Sequence, residues 1–223
     1  MRRVVLASLV LLALSGCRIE MVADLYSSDL RAVALSGEIL DTSGTMALQI
    51  TSTSDCDEQT DSIARIMDGI VDSFSPRGCE QRGLESFLIA DIDVKVLHAE
   101  ESSLSSLFGI AVEEYRGDLY MQVLLNQEKF RTLNRRAADR YYQEIELDES
   151  TMKLNLNNDG SRPIRVFVDE AFVQGAPVLS RSFQVDRRGK LVISLSNVSV
   201  AHLGDNGWAY GFRILKPESG NSD

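Results

Sequence analysis

Histidine, basic residues and long apolar runs are all in short supply in this 223-residue chain, and each shortage closes a class of function. The two histidines, His98 and His202, lie neither in an HExxH nor beside a cysteine at zinc-ligand spacing, so no metal site is expected. Lys and Arg number 23 against 33 Asp and Glu, a formal charge of -10 that opposes binding to phosphate backbones. Nucleic acid is therefore not an expected partner. There is no GxSxG elbow, no P-loop and no GxGxxG after a strand, so no cofactor is expected and the chain does not read as an enzyme. Beyond residue 14 no stretch approaches the eighteen apolar residues of a membrane helix. Internal repeats and low-complexity tracts are absent as well.

What is present begins at the N-terminus. Met1-Arg2-Arg3 precedes an apolar run from Val4 to Leu14, and Leu14-Ser15-Gly16-Cys17 closes it. A charged start, a short apolar stretch and small residues before a cleavage point make a secretory signal. The four closing residues resemble the lipobox of bacterial lipoproteins. That resemblance implies diacylglycerol (with palmitate-type acylation) on Cys17, a signal peptide of residues 1–16, and a chain held on a membrane by lipid. Arg18 stands where the enteric inner-membrane retention signal would have aspartate, which implies the outer membrane, on its periplasmic or cell-surface side. Removal of 1–16 takes Arg2 and Arg3 away, leaving 21 basic residues against 33 acidic and a charge near -12.

With Cys17 lipidated, Cys56 and Cys79 remain as a pair in an oxidising compartment, where a disulfide is expected. Between them Ile63, Ile66, Met67, Ile70, Val71 and Phe74 fall on one face of a helix. A helix from Asp57 to Phe74 would be about 26 Å long, so its flanks must fold back or it must be shorter, with Gly69 a candidate break.

Elsewhere the pattern is mostly strand. Leu84 to Leu97 alternates clearly, with Leu88, Ala90, Ile92, Val94 and Val96 against Ile89, Asp91, Asp93, Lys95 and Leu97. Leu107–Glu113 and Leu119–Leu125 read as a hairpin about Arg116-Gly117-Asp118, and Gln127–Tyr142 as a second helix. Strands are expected at Met152–Leu156, Ile164–Phe172, Val178–Val185, Leu191–Val200 and Trp208–Leu215. The fold class expected is α+β: mainly antiparallel β-sheet with two principal helices, in two lobes if the polar 100–106 stretch is a boundary. Residues 17–101 would then form an N-terminal α+β lobe carrying the Cys56–Cys79 disulfide, 102–216 a β-rich lobe, and 217–223 a disordered tail.

Four groups of residues bear on function. Asn155, Asn157, Asp159 and Gly160 match the first half of a calcium loop, but position twelve would be Val166, and a hairpin turn accounts for the same residues. Asp91 and Asp93 read as a solvated strand face. Arg131, Arg135, Arg136 and Arg140 form the one basic concentration in an acidic protein. Arg131, Arg135 and Arg140 are the candidate interface there, weighed against a solvated helix face. Trp208, Tyr210 and Phe212 fall on one face of the last strand, as an interface or as core.

Ala23-Asp24-Leu25-Tyr26-Ser27-Ser28-Asp29-Leu30 resembles the start of small lipoproteins carried by bacteriophages and prophages, over some 40 residues from Cys17 to about Cys56. Leu25-Tyr26-Ser27 is also similar to the beginning of ring-forming lipoproteins of type III secretion, but the strand-rich chain that follows departs from them. The first resemblance implies a cell-envelope role and supplies no catalytic residues. The function expected is a lipid-anchored envelope binding protein, of phage or prophage type, that engages an envelope protein partner and alters envelope or receptor behaviour. The alternatives are a structural or assembly accessory of an outer-membrane complex and a periplasmic hydrolase with a dispersed carboxylate site.

Overall fold

The computed structural model describes residues 18–50, 52–101, 104–141 and 144–217. The signal segment, Cys17 and the tail from residue 218 lie outside the described residues. In chain order the elements are β1 (Ile19–Tyr26), α1 (Ser27–Ser36), β2 (Leu40–Ile50), α2 (Cys56–Met67, entered through a 3-10 turn at Thr53–Asp55), β3 (Phe74–Arg82), β4 (Glu85–His98), β5 (Phe108–Tyr115), β6 (Asp118–Leu125) and α3 (Gln127–Tyr141). They are followed by β7 (Thr151–Asn157), β8 (Ile164–Val173), β9 (Ala176–Val185), β10 (Lys190–Leu195), α4 (Asn197–Asn206) and β11 (Trp208–Leu215).

Nine of the strands close on themselves. The ring runs β10-β7-β1-β2-β4-β5-β6-β11-β8 and returns to β10, while β3 and β9 lie outside it, on β4 and β8. The expected α+β sheet is thus corrected to a closed nine-stranded barrel, mostly β, with about 52% strand against 25% helix. Two of its pairings are parallel, β1 with β7 and β4 with β5. Those pairings join the segments on either side of residue 101, so the two expected lobes share one barrel. β8 completes the ring by using one edge twice: Arg165–Phe167 pairs with β11, and Ala171–Val173 pairs with β10. Between the two stretches Glu170 adopts a positive φ of 47°.

Alternation explains why these segments form the wall. Ile19, Met21, Ala23 and Leu25 of β1 point inward and are buried, and Met152, Leu154 and Leu156 of β7 do the same beside them. Phe108, Met121, Ile193 and Phe212 complete a barrel interior filled by side chains. Leu30 and Val33 of α1, Leu133 and Ala137 of α3, and Val200 and Leu203 of α4 join the same apolar cluster. Gly44 lets the wall close tightly: a Cβ there would meet Val94 at 2.7 Å and the Val22 carbonyl at 3.0 Å.

Several local expectations change. The helix after Cys56 ends at Met67, before Gly69 in the left-handed region, and the segment holding Cys79 is a strand. Cys56 and Cys79 are bonded with Cα atoms 6.0 Å apart, so the chain-entropy contribution of this loop is about 3 kcal/mol. The expected strand Leu191–Val200 stops at Leu195, because Ser196 accepts a hydrogen bond from the Ser199 amide and starts α4. The Arg116-Gly117 hairpin is present, with φ of 56° and 89° at its two turn residues.

Candidate interaction surface

A β-bulge breaks up the aromatic face expected on the last strand. The pairing of β11 with β6 shifts between Tyr210 and Phe212, at Gly211, so alternation reverses there. Trp208 stays 42% exposed and Tyr210 is half-buried, but Phe212 is fully buried in the core. Ala209, on the opposite face of the strand from Trp208 and Tyr210, is buried too. His202 stacks edge-on against Trp208 with ring centroids 4.9 Å apart.

Around Tyr210 the outer wall carries a different grouping. Arg213 pairs in register with Tyr120 of β6 on one side and Phe167 of β8 on the other. Its guanidinium lies 5.3 Å from the Tyr120 ring centroid and 4.7 Å from that of Phe167. Nη1 donates to the Tyr120 hydroxyl at 3.0 Å, and Nε stands 3.7 Å from Asp118, an ion pair without a hydrogen bond. Tyr115 continues the row, edge-on to Tyr120 at 6.4 Å and under Arg116 at 5.0 Å. Burial pushes the Tyr210 hydroxyl up to about 12, against the lowering influence of the Arg213 charge, so it remains a donor at neutral pH. Sequence reasoning does not single out Tyr120, Phe167 or Arg213. Their adjacency depends on β11 lying between β6 and β8, and the local signal is only that each occupies a half-buried position of a strand.

The arginines of α3 divide into two sets. Arg136 donates from Nη1 to the carbonyls of Ile66 and Asp68, each at 2.7 Å, and Lys129 donates to that of Gly69 at 2.6 Å. Arg140 donates to Ser62 at 3.0 Å. Arg136 and Lys129 satisfy carbonyls left over where α2 ends, which is where positive charge suits the helix dipole, while Arg140 reaches a hydroxyl within α2. Arg131 and Arg135 are exposed on the other side of α3.

The loop considered for calcium does something else. Asn155 donates its amide to Asp24 at 2.8 Å, and Asn157 donates to the Leu25 carbonyl at 3.3 Å, so both residues lie along β7 against β1. Asn158 is buried, accepts from Ser27, and donates to the carbonyls of Arg162, Val185 and Asp186. Asp159 accepts from the Ser28 amide and the Ser27 hydroxyl, both at 2.9 Å, and from the Ser28 hydroxyl. The turn after β7 does not form a hairpin with β8 as expected, since β7 pairs with β1 and β10. Among the described residues no three His, Cys, Asp or Glu side chains gather in a way that would hold a metal ion. His98 accepts from the Glu100 amide at 3.3 Å, and Asp91 and Asp93 both face solvent. The candidate lipid site, Cys17, lies outside the described residues.

One cleft, of about 240 Å³, opens beside Arg31, Arg165, Gln184 and Lys216. It is open and basic, and among the described residues no acidic side chain lines it.

These features define a filled, mixed β-barrel with its polar chemistry on the outside of the wall. The chain belongs to the family described as Domain of unknown function (DUF7424), whose model matches residues 19–218, from the first residue of β1 onward. No curated protein and no solved structure matches it.

Proposed function

We propose that this chain is a lipid-anchored cell-envelope protein of phage or prophage type that acts by binding an envelope protein through the outer wall of its barrel. The observation that carries the reading is the row in which Arg213 is held between Tyr120 and Phe167. Tyrosine, tryptophan and arginine dominate the energetics of protein interfaces, and rings fixed by their neighbours lose little entropy on binding. Tyr210 and the exposed Trp208 extend the row on the same strand. The filled interior turns attention outward, because the barrel's volume is taken by its own side chains.

Attachment through Cys17 fits the same picture. Apolar side chains point into the barrel, whereas Glu20 and Asp24 of β1, Asp41 of β2 and Asp91 and Asp93 of β4 point out. A lipid-facing barrel needs an apolar outer band, so the membrane contact falls to an acyl anchor.

The test uses metabolic palmitate labelling and cross-linked envelopes. Cys17→Ser should abolish labelling and release the protein from the membrane fraction. Lipidated wild type should cross-link to one envelope protein and change phage adsorption. Arg213→Ala and Trp208→Ala should lose both effects with the fold intact, and Arg131→Ala with Arg135→Ala tests the exposed face of α3 as the alternative interface. Turnover of an envelope polymer, eliminated by one carboxylate substitution, would replace binding with hydrolysis.

A further inference from the structure

The turn between β3 and β4 carries the most exposed large apolar side chain among the described residues. Leu84 is 101% exposed, at the tip of a hairpin closed by the Arg82–Glu85 pair, with Gly83 at a φ of 66°. A tip turn ordinarily takes polar residues, and none of the described residues covers Leu84. The tip is fixed in place. Arg18 Nη2 donates to Glu85 at 2.8 Å, Arg82 Nη1 donates to Glu20 at 2.8 Å, and both guanidiniums lie 5.2 Å from the Phe87 ring centroid.

Arg18 is the residue after Cys17, and consecutive Cα atoms are 3.8 Å apart. Its backbone is already bonded into the wall, since the Gln49 amide donates to the Arg18 carbonyl at 3.0 Å. No linker therefore separates Cys17 from the barrel. We propose that the β3–β4 tip is a second membrane contact, with Leu84 entering the boundary between headgroups and acyl chains beside the Cys17 lipid. This rests on the reading of Cys17 as acylated and adds to it a fixed orientation: the barrel stands on the end where β1 begins. A lone leucine would hold a free protein poorly, but tethering makes its insertion an intramolecular step.

The charges at this end indicate which lipid surface fits. Arg18 and Arg82 are already paired with Glu20, Glu80 and Glu85. Glu146, Asp148 and Glu149 are exposed in the segment that leads to Ser150, whose hydroxyl accepts from the Ile19 amide at 3.2 Å. With acid in excess, the matching surface is zwitterionic phosphatidylethanolamine or phosphatidylcholine; a strongly anionic one is disfavoured.

The test places the lipidated full chain in phosphatidylcholine vesicles that carry bromine on the upper acyl carbons. A Leu84→Trp variant in a Trp208→Phe background reports from the tip alone. Its emission should be blue-shifted and quenched about twofold or more by the brominated lipid. Trypsin should cut after Arg82 roughly tenfold faster in vesicle-bound Leu84→Ser than in wild type, since the polar tip would stay in water. Leu84 supports none of the described residues, so neither variant should unfold, and circular dichroism checks this. A protein that floats with the vesicles but shows an unquenched, red-shifted indole would overturn the tip contact and leave the anchor standing. A blue shift without quenching that grows with protein-to-lipid ratio would give the tip to a second copy instead. If wild type and Cys17→Ser both fail to float, the anchor itself is wrong, and the tip contact falls with it.

Discussion

The N-terminus of α1 has no cap of its own: Tyr26 stands before the helix and offers no side-chain hydrogen bond. Asp159, from the loop 131 residues further on, accepts from the Ser28 amide in its place. Desolvation is the largest single influence on its carboxyl and pushes the pKa up, but the bonds from Ser28 and Ser27 together outweigh it and hold the group below 3.8. A carboxyl lowered in the folded state contributes stability that is complete above its unfolded pKa and is lost as pH falls through the folded value. Asp159→Ala should therefore cost about 1 kcal/mol at neutral pH, at the modest end because the residue is exposed. Urea unfolding of both proteins gives the check. Their difference should shrink as pH drops below 3.8, and a constant difference would mean that the charge on Asp159 is irrelevant to the cap.

At the scale of elements, α2 and α3 are joined by cations reaching leftover carbonyls. Arg136→Ala removes two such bonds at once and should destabilise by about 1–3 kcal/mol, while Arg131→Ala, on the exposed side, should change stability by less than about 0.5 kcal/mol. Thermal unfolding of the two variants compares them directly, and equal effects would contradict the division of α3 into a bonded and a free face. What sequence alone made legible follows the same physics. Alternation marked β4, and the positive-φ pair Arg116-Gly117 marked the β5–β6 turn. β3 was not legible, because it lies outside the ring on β4 and its residues Ser75 to Arg82 show no clean alternation of apolar and polar. α4 reads as the end of a strand, since Val198, Ser199 and Val200 still alternate apolar and polar, although one residue out of phase with Leu191, Ile193 and Leu195 of β10. Only the cap at Ser196 and the left-handed Gly207 mark it as a helix. The candidate interface residues suffer likewise: one bulge at Gly211 moves Phe212 from the wall's outer face to the core.

For the whole molecule the decisive property is closure, and closure is written in no local period. β1 lies beside β7 across 131 residues, from Glu20 to Thr151, and β4 lies beside β5 across the expected lobe boundary at 100–106. Cutting the ring between residues 101 and 102 would leave two open sheets, each with unpaired edges and half a core. One apolar cluster takes side chains from β1, β2 and β4 and equally from β6, β7 and β11. The first part adds only the small separate cluster of Ala47, Phe87 and Ile89, and among the described residues the second part has no core of its own, so the barrel should unfold in one cooperative step. Trp208 fluorescence reports the second part and amide exchange in β4 reports the first. With increasing urea both should give the same free energy of opening, and the slope should match a chain of this size. An early loss of protection in β4 while the Trp208 signal stayed native would show that the first 101 residues come away alone, and that the ring is held more weakly at the β1–β7 and β4–β5 seams than its shared core implies.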